Sequence, residues 1–393
     1  MFFNSYPIDL IQQSVYNIVR RKVLLFFTFY QDGQETHTKT IQITMPAYYE
    51  RFVCKCGRCR SVCCGGWGIT LSRAEYYRLL GLSCPPELRR KLDCAVQIRR
   101  NATPEAYAEM APGFDGKCRL LDEEGYCSLQ RTCGEEVLST VCRLYPRSIK
   151  PWNGGMERCC SASCENTVEL LMQEPRPLRF VTQERPFSGE LPASCPEAHS
   201  ALRLRCMALM RDEGLPLPAR IAAIGRILGA DGQLPADGMP FLRTAYRLIS
   251  VFSDISPNIA EYGADACRAL GIDLPDGSIT SGTFTSETLA RFDALEQALY
   301  RALPDCGRYY ENLLANHLFY EQFPFTDVRT DAAPCDAFPG LCAAYILMRF
   351  LTVCHPGEPA CDAFSDAAAA AFRFIEHSEF YRNAQIVMRG AGN

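Results

Sequence analysis

A mainly α protein in two parts is what the sequence predicts: a cysteine-rich metal-binding domain with short hairpin elements, followed by an all-α helical domain. Three observations carry this reading. First, the cysteines are gathered: 14 of the 22 in the chain lie between Cys54 and Cys164. Second, that segment contains no histidine, so any metal there would be held by soft sulfur ligands alone. Third, from about residue 190 cysteines thin out and apolar residues recur at helical spacing between Gly, Pro and Asp breaks. The expected division is an N-terminal extension (1–44), a cysteine-rich metal-cluster domain (45–190) and a helical domain (191–393).

Composition narrows the class. A chain of 393 residues exceeds one average domain and suggests two. Hydrophobic content of 48% with 22% charge is that of a globular chain, long enough to fold without disulfides. A net charge of −4 offers no basic excess for nucleic acid. The basic stretch Arg20-Arg21-Lys22 and the apolar run Val23 to Tyr30 resemble a leader only in part. The run is eight residues, no small-x-small site follows, and it is too short to span a bilayer. The expectation is a cytoplasmic, reduced protein with no membrane partner and with thiols available for metal. Residues 1–44 could also be an upstream extension ahead of a working start at Met45.

In chain order, Ile8, Ile11, Val15 and Ile18 follow helical spacing, and Lys39 to Thr44 alternates as a strand would. The segment 45–53 brings aromatics, Tyr48 and Tyr49 among them, beside Cys54, Cys56, Cys59, Cys63 and Cys64. Gly65-Gly66 lets the backbone approach a metal or ligand closely. Trp67 offers an apolar face for packing or for a ligand wall. Residues 72–81 read as a capped helix, with Ser72 at the N-cap, Glu75 three residues on and Gly81 at the end. Residues 86–100 read as a second helix with a basic face. Cys118 and Cys127 flank a turn at Asp122-Glu123-Glu124-Gly125, a hairpin that brings thiols close. A helix over 133–144 is stopped by Pro146. Cys160 and Cys164, four apart, would share a helical face. Eight further helices are expected at 196–213, 216–229, 239–254, 258–270, 285–303, 305–321, 337–354 and 362–377.

Other chemistry is not signalled. The chain has no GxGxxG, P-loop, HExxH or GxSxG motif. His37, His199, His317, His355 and His377 are scattered, without metal or triad spacing. The cysteine order Cys56-x2-Cys59-x3-Cys63 is neither a pair of zinc knuckles nor the CxxxCxxC of radical enzymes, so spacing leaves zinc and iron–sulfur both open.

Four motifs in order carry a resemblance. MPAYYERFVCKCGRCRSVCCGGWGIT, CRLLDEEGYC, VCRLYPR and SASCE are similar to the flagellin lysine-N-methylase (FliB) family, itself related to YkgJ-type cysteine-cluster proteins. The stretch from Tyr310-Glu311-Asn312 to Phe323-Pro324-Phe325 resembles the family's C-terminal half. The matching cysteines are Cys54, Cys59, Cys63, Cys64, Cys118, Cys127, Cys142 and Cys164. The family's C-P-E is Cys164-Glu165-Asn166 here, without the proline, so the local turn departs from the family pattern. Cys56, Cys84, Cys94, Cys133, Cys159 and Cys160 lie outside the pattern. The resemblance implies a protein-lysine N-methyltransferase that moves a methyl group from S-adenosylmethionine to lysines of flagellin, with a [4Fe–4S] cluster on some of the eight cysteines. Trp67, Tyr48 and Tyr49 are candidate walls for the sulfonium donor. No general base is signalled, nor is the oligomeric state. Two other readings use the same thiols: a non-catalytic module built on Zn2+, and a metal storage or delivery protein.

Overall fold

The computed structural model describes residues 39–389, apart from 62, 66–68, 115, 231–232, 273–283 and 327–331. The helix expected around Ile8 to Ile18, the leader-like run and the residues Gly66 and Trp67 lie outside the described residues. The chain divides into a smaller unit, residues 53–147, and a larger one made of the described residues before 53 and after 147.

Strand β1 (Lys39–Pro46) opens the described chain and belongs to the larger unit. Its alternation is legible in sequence: Ile41, Ile43 and Met45 are buried on one face. Lys39 to Thr44 are therefore integral to a sheet.

The smaller unit follows. Strands β2 (Ile69–Leu71), β3 (Val96–Ile98) and β4 (Ala108–Met110) form an antiparallel sheet in the order β2-β4-β3. Helix α1 (Arg73–Leu80) starts with the expected capping box: Ser72 Oγ accepts from the Glu75 N–H, and the Glu75 carboxylate accepts from the Ser72 N–H. Helix α2 (Pro86–Ala95) begins with proline in its first turn and buries Leu88, Leu92 and Ala95. The expectation of one helix over 86–100 is corrected here. Val96–Ile98 leaves the helix to pair with β4, so the strand ladder overrides helical propensity. The helix expected over 133–144 is likewise two short ones, α3 (Ser128–Cys133) and α4 (Thr140–Leu144). Gly134, at φ 92°, ends the first.

In the larger unit a hairpin of β5 (Arg147–Trp152) and β6 (Gly155–Cys160) turns at Asn153-Gly154, both with positive φ. Asn-Gly is the favoured pair for such a two-residue turn. Helix α5 (Glu165–Gln173) and strand β7 (Phe180–Phe187) complete a mixed sheet in the order β5-β6-β1-β7. β1 runs parallel to β6 and antiparallel to β7. This sheet is the main correction to the expected mainly α chain with only short hairpins: a mixed β-sheet N-terminal region precedes an extensive α-helical region. β7 escaped notice because VTQERP is polar on both faces and carries Pro186, which suits the sheet edge it occupies. Cys160 ends β6 and Cys164 caps α5, so the two do not share a helical face.

The helices that follow are α6 (Glu197–Met210), α7 (Leu217–Leu228), α8 (Gly238–Ser253), α9 (Pro257–Ala269), α10 (Ser286–Ala302), α11 (Cys306–Tyr320), α12 (Phe338–Val353), α13 (Ala360–Ile375) and α14 (Phe380–Arg389). Eight of these nine were legible; α14 was not. α12 is the core of the unit. Every residue in it but Pro339 is buried, and α8, α13 and α14 pack around it. The segment Pro334–Val353 is long and apolar enough to cross a bilayer by length and composition, yet 83% of its most apolar window is packed inside this unit.

Candidate functional site

Two constellations stand out, one in each unit. In the smaller unit, three cysteine-bearing segments are drawn together by identifiable contacts. The Cys118 N–H donates to the Cys64 carbonyl at 2.7 Å, and Gly65 bridges to Lys117. Gly57 lies against the hairpin: a β-carbon there would sit 2.5 Å from both the Glu124 carbonyl and the Tyr126 ring. The hairpin is closed by the Leu121–Cys127 bridge, and Asp122 Oδ1 accepts the N–H groups of Glu124 and Tyr126. The third segment is held by Glu75. Its buried carboxylate, already used by Ser72, also accepts the Thr140 N–H at 2.6 Å. Ser139 Oγ accepts from the Cys142 N–H and so caps α4.

These contacts converge on Cys63. Its sulfur lies 3.8 Å from that of Cys64 and within electrostatic range of Cys54, Cys118, Cys127 and Cys142. Burial pushes the Cys142 thiol up to about 12 and the Cys54 thiol up to about 11. The Cys64 thiol is raised first by its hydrogen bond with Cys63 and then by burial. Burial raises Cys118 and Cys127 too, but backbone N–H groups oppose it: that of Leu120 points at the Cys118 sulfur, and those of Leu129 and Gln130 at Cys127. The Cys56 N–H donates to the Cys54 sulfur at 3.3 Å. N–H groups aimed at sulfur favour the thiolate, the form that binds metal.

The donor set thus suits a soft metal, and its geometry limits which kind. Among the described residues no three His, Cys, Asp or Glu side chains form a ready cage for one ion. Cys59 is half-buried at the end of the one-turn helix Cys56–Arg58, in the same segment. Cys164 belongs to the larger unit.

The second constellation joins residues far apart in sequence. Between β6 and α5, the Ser161 hydroxyl contacts Glu376 Oε2 at 2.5 Å and the Ser163 hydroxyl at 2.6 Å. His377 Nε2 lies 2.8 Å from Ser163 Oγ. The Ala162 N–H also donates to Glu376 Oε2, at 2.9 Å. On the other side, Glu376 Oε1 lies 3.0 Å from His317 Nδ1, and His317 Nε2 lies 2.8 Å from the Tyr381 hydroxyl. Ser161, Ser163, Glu376 and His317 are buried, whereas His377 and Tyr381 are half-buried.

Helix α11 supplies His317 and has a polar seam for a reason. Asn312 Nδ2 donates to the Leu171 and Glu174 carbonyls at the end of α5. Asn316 Nδ2 donates to the Cys160 carbonyl, and its Oδ1 accepts from the Tyr48 hydroxyl at 2.7 Å and the Cys159 thiol at 3.2 Å. Asn316 and Tyr48 thus meet partners inside the seam, whereas among the described residues Asn312 Oδ1 is buried with no hydrogen-bond partner. Tyr48 is fully buried in this seam, and burial holds its phenol well above its ordinary range. Tyr49 is buried in the same apolar core.

The FliB lysine N-methylase C-terminal domain matches residues 232–387. The lysine-N-methylase of Salmonella typhimurium is 25% identical over 190 residues, which cover 47% of this chain and 46% of that protein. That of Salmonella choleraesuis is 24% identical over the same shares. The flagellar biosynthetic protein FliU of Salmonella muenchen is 26% identical over 137 residues, 35% of this chain and 80% of that protein. Over these stretches the chain is similar to the FliB lysine-N-methylases. It spans about half the length of the curated lysine-N-methylases it matches. No solved structure matches.

His317, Glu376, His377 and Tyr381 all fall in the stretch that matches the FliB C-terminal domain, and Ser161 and Ser163 fall in the SASCE motif. Sequence reasoning missed the four C-terminal residues, because histidines 60 positions apart carry no spacing signal. The adjacent Glu376-His377 pair, directly after an alanine-rich helix, was the one available clue.

Proposed function

We propose that the chain is a protein-lysine N-methyltransferase that moves a methyl group from S-adenosylmethionine to lysine ε-amines of flagellin and carries a thiolate-bound [4Fe–4S] cluster. The observation that carries the reading is similarity to the FliB family, whose matched relatives are named lysine-N-methylases and a flagellar biosynthetic protein. The convergence of thiols on Cys63 supports the cluster. Its ligands are drawn from the seven family-pattern cysteines of the smaller unit: Cys54, Cys59, Cys63, Cys64, Cys118, Cys127 and Cys142. Bound there, the cluster supplies positive charge to the gathered thiolates and cross-links three segments. The reaction requires a neutral lysine amine, so the site must remove a proton before nitrogen attacks the methyl carbon. Trp67 is proposed as a wall for the donor, because an aromatic face suits a sulfonium cation.

The test is anaerobic purification, with iron, acid-labile sulfide and zinc measured per chain, followed by transfer of labelled methyl from S-adenosylmethionine to flagellin of the same organism. Iron and sulfide in a fixed ratio together with labelled lysine support the reading. A protein with its metal site intact that labels no lysine overturns it.

One observation favours a second reading, a zinc-stabilised module. The 3.8 Å between the Cys63 and Cys64 sulfurs matches the separation of two thiolates on one tetrahedral zinc, roughly 3.8 Å for Zn–S bonds near 2.3 Å. Stoichiometric, colourless zinc with no saturable binding of S-adenosylmethionine would select it.

A further inference from the structure

We propose that His377, Ser163, Ser161, Glu376, His317 and Tyr381 form the path that carries away the proton released by methyl transfer. The inference rests on the methyltransferase reading above, and it assigns the proton-handling groups that reading leaves open.

The hydrogen bonds have one self-consistent polarity when Glu376 is ionised. The Tyr381 hydroxyl donates to His317 Nε2, and His317 Nδ1–H donates to Glu376 Oε1. From the other end, His377 Nε2–H donates to Ser163, Ser163 to Ser161, and Ser161 to Glu376 Oε2. Both arms therefore point at one buried carboxylate. Every link is 3.0 Å or shorter, the middle of the path is sealed from water, and the two ends are half-buried. A network serving only to hold the fold needs no such continuity from one half-exposed group to another.

Charged and titratable groups stand beside the path. Glu321 and Tyr320 lie beside it, and Cys159 stands near Glu376. Tyr320 is buried with its hydroxyl near Ser161, and Lys150 donates to the Tyr320 carbonyl. The Tyr381 ring is held against Gly340, where a β-carbon would stand 2.2 Å from the ring. Glycine at 340 thus sets the half-buried end of the path.

The balance of the reaction defines what the path must do. The lysine ammonium gives up a proton, and its nitrogen lone pair bonds to the methyl carbon. The carbon–sulfur bond breaks, and its electron pair leaves the sulfonium as a neutral thioether. One proton per methyl group is left over. Glu376 accepts it through one arm and returns it to water through the other. None of these residues is placed in contact with substrate, so they act as relay and positioning groups.

The experiment uses the full chain with its metal site intact, flagellin of the same organism and S-adenosylmethionine. Glu376→Gln keeps the shape but removes the acceptor. It is expected to lower kcat by about 100-fold or more, the usual scale of proton-transfer catalysis, with little change in KM. Tyr381→Phe, at the half-buried end, is expected to keep the wild-type melting temperature and to change the solvent deuterium isotope effect on kcat. The second readout needs no activity: in protein with 15N-labelled histidine rings, Tyr381→Phe should shift the ring nitrogens of His317 and also those of His377. Wild-type kcat in both variants, or a His377 ring that ignores Tyr381→Phe, overturns the relay. A wild-type protein that transfers no methyl group while His377 still responds refutes the methyltransferase reading instead.

Discussion

The two units solve the problem of stability differently. The larger one wraps α12 in apolar side chains, with Phe350, Phe364, Phe372 and Phe380 all fully buried. It can then tolerate a buried polar seam, in which Asn316, Tyr48, Ser161 and Glu376 are hydrogen-bonded to one another or to the backbone while, among the described residues, Asn312 Oδ1 is left without a partner. The smaller unit has short strands, helices of five to ten residues and a modest apolar core centred on Leu71, Leu79 and Leu92. Cys84, Cys118, Cys127, Cys133 and Cys142 lie partly buried against that core. A small fold with little to bury commonly depends on cross-links or metal. The contrast teaches that the cysteines of this unit are as much a question of stability as of chemistry.

The sharpest way to break the comparison is to strip the proposed metal. Structural metal in small domains contributes an apparent 10–16 kcal/mol or so. Chelation, or Cys63→Ser with Cys118→Ser, should therefore abolish amide protection across 53–147 in hydrogen exchange, while 338–375 keeps its protection. Equal loss in both units would end the distinction. A smaller effect in the opposite place comes from Phe350→Ala, which should destabilise the larger unit by about 3–5 kcal/mol through lost burial and a cavity. Hydrogen exchange within 53–147 should be unchanged by it. The smallest effect is that of Ser72→Ala. Loss of the cap should cost the smaller unit about 1 kcal/mol, seen as a shift in its denaturation midpoint, and more in metal-free protein if the metal masks local defects.

The helical part was legible because its signals are local. α8, for example, buries Phe241, Leu242, Ala245, Leu248, Ile249 and Phe252 at helical spacing, and the Ser72–Glu75 box announced α1 from four residues. The strands were less so. β7 shows no apolar alternation, and Val96–Ile98 reads as a continuation of helix α2 until β4 is there to pair with it. The gathering of thiols was visible as composition, and Gly57, Asp122 and Glu75 show what folds it into one place. The Ser161–Glu376–His317 network was not visible at all, because each member is ordinary in its own sequence context.

Sequence alone determined that this protein has a thiol-rich segment without histidine, a long helical part, and the motifs of the FliB family. Those are properties of composition, periodicity and local spacing, which a chain carries before it folds. Tertiary structure alone decided that Cys63 lies among the other thiols, that β1 pairs with both β6 and β7, and that Glu376 is reached by Ser161 from one side and His317 from the other. Such pairings join residues up to 215 positions apart. They depend on which buried polar groups find one another when the core closes, and no local pattern records that.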